Sequence, residues 1–327
     1  SWASADPTGL VDVRSFEYAD ELLDLAGVSR EQLPALVAPG SVIGGVTEAA
    51  AAATGLPAGT AVVAGAGDGQ SAGLGAAVCA SGVAYLNLGT AVTLGVHADR
   101  YMTGPAYRSM ASPIAGRWTL EAALASGVRS LDWFRQRVLG DDSEAALARL
   151  EAEAAEVPAG ADGLLFLPYL IRAEAPHWDP DAKGAWVGLR EHHELPHLYR
   201  AVLEGITYEQ LLVLSMIEAD TGVRAERLRL MGGGARSDLW VQLIADVFER
   251  PVEVTEHTET TALGAAVLAA AAVGIDTTWD VVATAQRMSR GWRTVEPHAD
   301  GRGVYRRRYD VYRELYPALA GVFARLA

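Results

Sequence analysis

The residue types best suited to chemistry form a glycine-rich segment, LRLMGGGARSDLWVQLIADVF at Leu228–Phe248. A predicted strand runs into Gly232, Gly233 and Gly234, which carry no Cβ and therefore let a ligand touch the backbone. Ser237 can cap the helix that follows, whose first N–H groups attract anions. The pattern favours a site for an anionic or adenosyl ligand over a plain strand–helix turn, which needs one glycine rather than three.

A lone carboxylate occupies a second glycine-rich turn, AGAGDGQ at Ala64–Gln70. The G-x-G-x-x-G dinucleotide fingerprint fails there because Gln70 stands at the position of the third glycine. What remains is Asp68, between a predicted strand and a predicted helix. Such a carboxylate can serve simply as a helix cap. It can act as a general base only if it is held close to a reacting hydroxyl.

A third segment, NLGTAVT at Asn87–Thr93, lies at the tip of a hairpin predicted from Val83–Leu88 and Val92–Val96. Gly89 and Thr90 offer a backbone N–H and a hydroxyl at one point, as phosphate-handling turns do. An ordinary hairpin also takes glycine at its bend. Taken alone, the segment therefore favours the ordinary hairpin.

Two apparent metal motifs are discounted. His193–His197 spells HELPH, which matches H-E-x-x-H, but zinc binding requires both histidines on one continuous helix. Pro196 would break that helix and fits better in its first turn. Asp179–Gly184 hints at a calcium loop, yet Lys183 stands at a ligand position. We therefore predict no metal-binding residues.

The elements that position these turns alternate between strand and helix, which favours a layered α/β fold. The periodicity and the glycine boundaries predict these elements in chain order: strand Thr60–Ala64, helix Gln70–Val78, strand Leu164–Leu170, loop Ile171–Gly188, helix His197–Ala219, strand Leu228–Met231, helix Ser237–Phe248, strand Val252–Val254, helix Thr261–Val273 and terminal helix Tyr305–Ala327.

The composition excludes several classes of function. Half of the 327 residues are hydrophobic, enough for the core of one large domain or two. The net charge of −14 disfavours nucleic acid and anionic membranes as partners, since both need clustered Lys and Arg. Lys183 is the only lysine, which excludes a G-x-x-x-x-G-K-[ST] loop. Cys79 is the only cysteine, so we expect a reducing, cytoplasmic location.

Taken in order, the motifs resemble the FGGY carbohydrate kinases, and within them the xylulokinase-like branch. The resemblance covers nearly the whole chain, through seven segments: AVVAGAGDGQSAGLGA (Ala61–Ala76), YLNLGTAVTLGV (Tyr85–Val96), LLFLPYL (Leu164–Leu170), HWDPDAKGAWVGL (His177–Leu189), YRAVLEGI (Tyr199–Ile206), MGGGARSDLWVQLIADVF (Met231–Phe248) and TALGAAVLAAAAVG (Thr261–Gly274). It implies an actin-like ATPase fold, with RNase-H-like domains of mixed sheets and flanking helices that clasp ATP and a sugar.

The resemblance also implies a role for particular residues. Phosphoryl transfer in this family would depend on positioning and on charge stabilisation, with ATP and Mg²⁺ as cofactors. The implied roles are the catalytic base for Asp68, sugar contacts for Asp68 and Gln70, contact with the transferred phosphate for Gly89 and Thr90, the adenine pocket for Gly127, and the nucleotide turn for Gly232, Gly233 and Gly234 with Ser237 nearby.

Two departures from the family pattern affect the domain and substrate predictions. Family members are longer and begin with a phosphate motif around Asp-x-Gly-Thr, so we expect residues 1–78 to be the remnant of the amino-terminal domain. Residues 79–327 would be the carboxy-terminal, nucleotide-binding domain, and the terminal helix is left open to pack back on the first. At Ile171–Ala175, IRAEA replaces a Gly-Glu-Arg run of many members, which affects the choice of sugar.

The sequence therefore predicts an ATP-dependent kinase of a pentulose, D-xylulose or a similar sugar. Residues 1–327 alone are expected to be inactive and to bind ATP weakly. The alternatives left open are a kinase of another ketose or polyol (ribulose, erythritol, glycerol), an actin-like hydrolase or chaperone ATPase, and an inactive ATP-binding pseudokinase. A homodimer is also left open.

Overall fold

The computed structural model describes residues 1–255, 257, 259–274 and 280–326. Ala327, the last residue of the predicted terminal helix, lies outside the described residues. The α-helices are α1 (Trp2–Ala5), α2 (Asp20–Ala26), α3 (Glu48–Thr54), α4 (Asp68–Gly75), α5 (Gly127–Trp133), α6 (Glu144–Glu156), α7 (Leu195–Thr221), α8 (Asp238–Phe248), α9 (Thr260–Val273), α10 (Val281–Met288) and α11 (Arg302–Phe323). The strands are β1 (Val11–Asp12), β2 (Glu17–Tyr18), β3 (Val42–Gly45), β4 (Ala61–Val63), β5 (Val83–Leu88), β6 (Val92–Ala98), β7 (Arg108–Ala111), β8 (Trp118–Leu124), β9 (Leu165–Leu167), β10 (Ala185–Val187), β11 (Arg227–Met231), β12 (Val252–Thr255) and β13 (Trp292–Val295).

A seven-stranded mixed sheet forms the centre, in the order β13-β12-β11-β5-β6-β8-β7. Strand β11 is parallel to both β5 and β12, and the remaining neighbours are antiparallel. The predicted β5–β6 hairpin is confirmed. Because β5 and β11 are parallel, the hairpin tip after β5 and the glycine turn after β11 emerge at the same edge of the sheet.

Helices α4 and α9 cross at very short range. A Cβ on Gly75 would overlap the Thr260 carbonyl, and one on Gly264 would overlap the Ser71 carbonyl. Glycine at both positions therefore lets the two backbones touch. The crossing brings the start of α9 close to Asp68, the first residue of α4.

Helix α7 forms much of the core together with α8, β9 and the terminal helix α11. Tyr305, Tyr312 and Phe323 of α11 are buried in that core. The terminal helix therefore packs on residues of the second half of the chain rather than back on residues 1–78. The aromatic residues on one face of this amphipathic helix contact the apolar core there.

Residues 1–78 contribute small elements, among them the two-stranded sheets β1–β2 and β3–β4. Two hydrogen bonds tie their first part to the central sheet: Asp6 Oδ2 accepts from the Ala111 N–H at 2.8 Å, and Trp118 Nε1 donates to the Val13 carbonyl at 2.7 Å. All four residues of β3 are exposed. Strand β3 therefore adds little to the buried core.

The structure corrects two element predictions. Helix α4 begins at Asp68 rather than near Gln70, because Gly67 takes the extended conformation of an N-cap. The loop predicted at Ile171–Gly188 contains β10, which pairs with β9. Strand β10 forms there because Trp186 packs its ring against an aromatic cluster that includes Phe166.

A membrane-crossing helix is not found among the described residues, since none of their helices combines the necessary length with apolar character.

Candidate active site

The glycine turn after β11 lies directly against the end of β5. The register pairs Met231 with Asn87, so the two strands end side by side. A Cβ on Gly232 would come within 2.6 Å of Asn87 Oδ1 and 2.8 Å of the Leu88 carbonyl, and its φ of 85° is left-handed. Only glycine meets both demands. The turn is therefore seated just before the Gly89–Thr90 tip.

The fold constrains the three glycines of this turn differently. Gly232 is required by its φ, and Gly234 by packing, since its Cβ would lie 2.6 Å from the Trp240 ring and 2.8 Å from Leu88 Cβ. A Cβ on Gly233 would meet nothing within 4 Å, and its φ is not left-handed. The fold thus accounts for two of the glycines, one more than the sequence analysis allowed. Gly233 is left facing open space.

A cleft of about 260 Å³ lies beside Gly233. Its described lining residues are Met231, Gly232, Gly233, Ala235, Arg236, Val254, Thr255, His257 and Glu259. Absence of a Cβ on Gly233 keeps this space open and exposes the backbone to it. The residues present therefore fit a nucleotide, which needs close backbone approach and room for a ring.

Ser237 caps α8 as predicted: its Oγ accepts from the Trp240 N–H at 3.2 Å. The first turn of α8 also carries Asp238, which forms an ion pair with Arg293 at 2.9 Å. The acidic side chain offsets part of the positive end of the helix dipole. Contact of Ser237 with a nucleotide stays a prediction.

The hairpin tip is held by the start of α5. The Val128 N–H donates to the Gly89 carbonyl at 3.1 Å, and the Arg129 N–H donates to the Thr90 carbonyl at 3.2 Å. Gly127 is packed so closely on the tip that a Cβ would overlap the Val92 backbone nitrogen. This contact explains glycine at 127, while its predicted place by the adenine stays a prediction. Thr90 itself is exposed.

Asp68 lies in the first turn of α4 with its side chain exposed. Its Oδ1 accepts from the Gly69 N–H at 2.8 Å, and Oδ2 has no hydrogen-bond partner among the described residues. The carboxylate is therefore anchored by one oxygen and free at the other. This arrangement suits a base that takes a proton from a hydroxyl.

Gln70 lies in α4, and its contact with a sugar stays a prediction. Its side chain is buried, and Nε2 donates to the Ala3 carbonyl at 3.0 Å. The Gly67 N–H donates to the same carbonyl at 3.1 Å. In the structure, Gln70 thus fixes residues 1–4 against the Asp68 turn.

Two consecutive threonines that the sequence analysis did not single out connect the two halves of the site. Thr260 Oγ1 donates to the Met231 sulfur at 3.2 Å, beside the glycine turn. Thr261 Oγ1 donates to the Asp68 carbonyl at 3.4 Å. Both begin α9, so this helix start lies between Asp68 and the cleft at Gly233. The spacing of residues along the chain gave no sign of these contacts.

The HELPH histidines lie where a zinc pair is disfavoured. Pro196 stands in the first turn of α7, as predicted. The Nδ1 atoms of His193 and His197 accept backbone N–H bonds at 2.9 and 3.2 Å. A neutral ring that accepts at Nδ1 carries its proton on Nε2, so neither nitrogen is open to a metal.

Asp162, His192 and His193 lie close enough together to bind one metal ion. In the part of the chain that the structure describes, no other group of three His, Cys, Asp or Glu side chains does so. His192 Nε2 and Asp162 Oδ2 already form a hydrogen bond at 2.7 Å. Because His193 is protonated at Nε2 in its neutral form, this trio offers two usable ligands at most.

Comparison with known proteins identifies two matching family models. Residues 2–75 match the N-terminal domain of the FGGY family of carbohydrate kinases, and residues 84–273 match its C-terminal domain. The gluconokinase of Bacillus licheniformis is 30% identical over 336 residues, covering 100% of this chain and 64% of that protein. The xylulose kinase of Bacillus subtilis strain 168 is 29% identical over 321 residues, covering 96% and 62%.

A solved xylulose kinase from Rhodospirillum rubrum superposes with a TM-score of 0.87 at 32% identity, covering 99% of this chain and 64% of that one. The chain thus spans less than two thirds of the length of these relatives. The similarity confirms the predicted actin-like ATPase fold with its mixed sheet and flanking helices. Because the C-terminal match alone covers more than half of its residues, this chain belongs to the FGGY family of carbohydrate kinases.

Proposed function

We propose that this chain forms the base-carrying and nucleotide-binding part of an ATP-dependent sugar kinase. The observation that carries the proposal is the link between its two halves: Thr261 contacts Asp68, and Thr260 contacts the strand end that leads to the open Gly233 turn. A base and a nucleotide cleft on either side of one helix start suit phosphoryl transfer from ATP to a hydroxyl.

Each half supplies one requirement of the reaction. The free Oδ2 of Asp68 accepts the proton of the sugar hydroxyl as that oxygen attacks. The Gly233 backbone holds the nucleotide, and the N–H and hydroxyl at Gly89 and Thr90 hold the phosphate being transferred. Bound ATP supplies the phosphoryl group, and Mg²⁺ neutralises its charge. We assign no described residue to the metal.

For the acceptor we propose a pentulose, D-xylulose. Relatives named xylulose kinase support this choice. The alternatives are another ketose or polyol, such as ribulose, erythritol or glycerol. Residues 1–78 would belong to the amino-terminal domain and carry Asp68, and residues 79–327 would form the carboxy-terminal domain. The family matches support this division because they end at 75 and resume at 84.

A second candidate is a protein that binds ATP without turnover. The chain spans less than two thirds of the length of its relatives, which favours this candidate for residues 1–327 taken alone. We further propose a cytoplasmic location, with sugar and ATP as the ligands and neither nucleic acid nor membrane as a partner. A homodimer stays open.

The test is a coupled ADP-release assay on the full-length gene product with D-xylulose, D-ribulose, erythritol and glycerol. Sugar-dependent ADP release with D-xylulose at the highest kcat/KM supports the proposal. ADP release that no sugar stimulates would assign the chain to the hydrolase class instead. Nucleotide binding without any ADP release would support the non-catalytic candidate.

A further inference from the structure

A row of polar side chains crosses the central sheet beneath the turn that carries Asp68. The register pairs Arg108 with Glu121, Glu121 with Gly95, and Gly95 with Tyr85. Directly paired residues on neighbouring strands share one face of a sheet. The side chains of Arg108, Glu121 and Tyr85 therefore project from the same face, and Gly95 leaves a gap between them.

Glu121 is the centre of this row and is only 1% exposed. Tyr85 donates to its Oε2 at 2.5 Å, and Arg108 Nη2 donates to its Oε1 at 2.6 Å. The Tyr85 ring reaches Glu121 by lying across Gly95, where a Cβ would overlap the ring. Burial raises the pKa of Tyr85 well above its usual value, so the phenol stays a donor. Both oxygens of Glu121 are thus held in place.

The row touches the turn that carries the base. A Cβ on Gly69 would lie 2.9 Å from Glu121 Oε2, so the backbone just after Asp68 rests on the Glu121 carboxylate. Arg108 ends the row with 57% of its side chain exposed. Its Nε and Nη1 have no hydrogen-bond partner among the described residues. Arg108 therefore lies beside the carboxylate on which the backbone after Asp68 rests, with donors that no described residue occupies.

The surrounding charge is negative in spite of Arg108. Asp6 is held nearby by the Ala111 N–H, and it lies close enough to Arg108 and Glu121 for both charges to act on its carboxyl group. Two carboxyl groups, those of Asp6 and Glu121, thus lie at Arg108, and the turn that rests on Glu121 adds the carboxyl group of Asp68. A ligand that brought a further carboxylate would meet like charge in a partly desolvated site.

We propose that Arg108, oriented by Glu121 and Tyr85, is a specificity-determining residue that binds hydroxyl or carbonyl oxygens of a neutral acceptor sugar, and that the site rejects sugar acids. The inference rests on the proposed function and deepens it, because it divides the acceptors named among the relatives. D-Xylulose and other neutral sugars are accepted, whereas D-gluconate is excluded by charge.

The test compares Arg108→Gln with the unaltered full-length gene product on D-xylulose, D-ribulose, glycerol and D-gluconate. We expect kcat/KM for the preferred neutral sugar to fall about 10- to 100-fold, with KM for ATP changed less than about twofold. Arg108→Lys should recover only part of the loss, because an ammonium lacks the planar fork of donors. A split between the KM values of sugar and ATP separates sugar binding from a general loss of structure.

Removing Arg108 alone leaves Glu121 buried with one partner fewer, which lowers stability. The double variant Arg108→Gln/Glu121→Gln removes both charges and serves as the control matched for folding, checked by thermal melting. Glu121→Gln alone keeps the cation and removes one carboxylate. It should raise the ratio of kcat/KM for D-gluconate over D-xylulose.

The outcomes separate the two proposals. A preference for D-gluconate in the unaltered protein, or an Arg108→Gln variant with unchanged acceptor kinetics, would overturn the role of Arg108 and leave the kinase proposal standing. A melting temperature of the double variant equal to that of the parent, with acceptor kinetics as poor as in Arg108→Gln, supports the role. If no sugar in the panel is phosphorylated, the kinase proposal fails and this inference fails with it.

Discussion

At the scale of single residues, Asp68 carries the sharpest prediction. We expect Asp68→Asn in the full-length gene product to lower the rate of phosphorylation by about 10²–10⁴ and to leave the KM for ATP nearly unchanged. The amide cannot take the hydroxyl proton, whereas the anchoring bond from the Gly69 N–H to Oδ1 can be kept. The measurement is steady-state kinetics with the sugar and ATP varied separately.

Asp20→Asn is the matched control, because Asp20 is also an exposed aspartate in the first turn of a short helix. Its bond to Arg30 joins two exposed side chains and contributes little to stability. Turnover close to normal in Asp68→Asn, with Asp20→Asn equally active, would remove Asp68 from the role of base.

The glycine turn gives a second prediction at this scale. We expect Gly233→Val to weaken binding of ATP strongly and to leave the fold intact, since a side chain there meets open space in the protein but fills the cleft. Gly234→Val is the contrast, because its side chain would strike Trp240 and Leu88 and lower the melting temperature. Calorimetric titration with ATP and thermal melting measure the two effects. Equal ATP affinity in Gly233→Val and the parent would place the nucleotide elsewhere.

How much of the site the sequence predicted depends on the range of the interactions. The Ser237 cap was predicted because a helix cap depends on the local sequence. Glu121 and Arg108 were missed because their partnership depends on the register of β7 and β8, which no local pattern encodes. The bond from Gln70 to Ala3 was not predicted for the same reason, since Ala3 lies 67 residues earlier.

At the scale of elements, the local sequence predicts hairpins and helix caps, but it does not predict which charged side chains are buried. The β5–β6 hairpin agrees with its prediction, and α2 and α3 end at Gly27 and Gly55 because glycine in the left-handed conformation readily ends a helix. Strand β10 was missed because it is stabilised by Trp186 packing on distant aromatic residues. Nothing in the sequence marked Glu209, in the middle of α7, as buried.

Glu209 joins three elements through one carboxyl group. It lies on α7, is 1% exposed, and accepts hydrogen bonds from Tyr169 after β9 at 2.8 Å and from Tyr312 on α11 at 2.6 Å. Burial raises the pKa of Glu209 from 4.5 to about 7, although the two hydroxyl groups oppose the shift. Between about pH 4.5 and 7, the Glu209 carboxyl group is therefore protonated to a greater extent in the folded state than in the unfolded state.

The raised pKa predicts how stability depends on pH. The folded state binds a proton that the unfolded state has already released, so this contribution is complete below about pH 4.5 and is lost as the pH rises through about 7. Between pH 5 and pH 8, the free energy of unfolding should fall by roughly 2–3 kcal/mol more in the parent than in Glu209→Gln. Urea unfolding at the two pH values measures the difference, with Glu226→Gln as an exposed control. Parallel pH profiles for parent and Glu209→Gln would show that burial does not raise the pKa of Glu209.

At the scale of the whole molecule, exposed apolar surface is concentrated in the amino-terminal region. Leu25, Val42, Ile43 and Leu56 are each more than half exposed, and a groove of about 680 Å³ lies between Tyr18, Pro34 and Ile43. An exposed groove with an apolar lining is typical of an interaction site. The chain spans less than two thirds of the length of its relatives, and we propose this groove as a place where the rest of a full-length kinase would dock.

The last prediction separates nucleotide binding from sugar-dependent turnover. We expect residues 1–327 alone to show no measurable sugar-dependent ADP release, while a thermal-shift titration with Mg-ATP still raises their melting temperature at high ligand concentration. The nucleotide side is present in the cleft at Gly233, so weak binding should persist. Turnover needs donor and acceptor held in line, and an open sugar site forfeits an advantage worth up to about 7–11 kcal/mol. Gly233→Val in the same chain is the control and should abolish the thermal shift. Robust ADP release with D-xylulose would mean that the sugar pocket is already complete within these residues, and that the apolar surface serves another purpose.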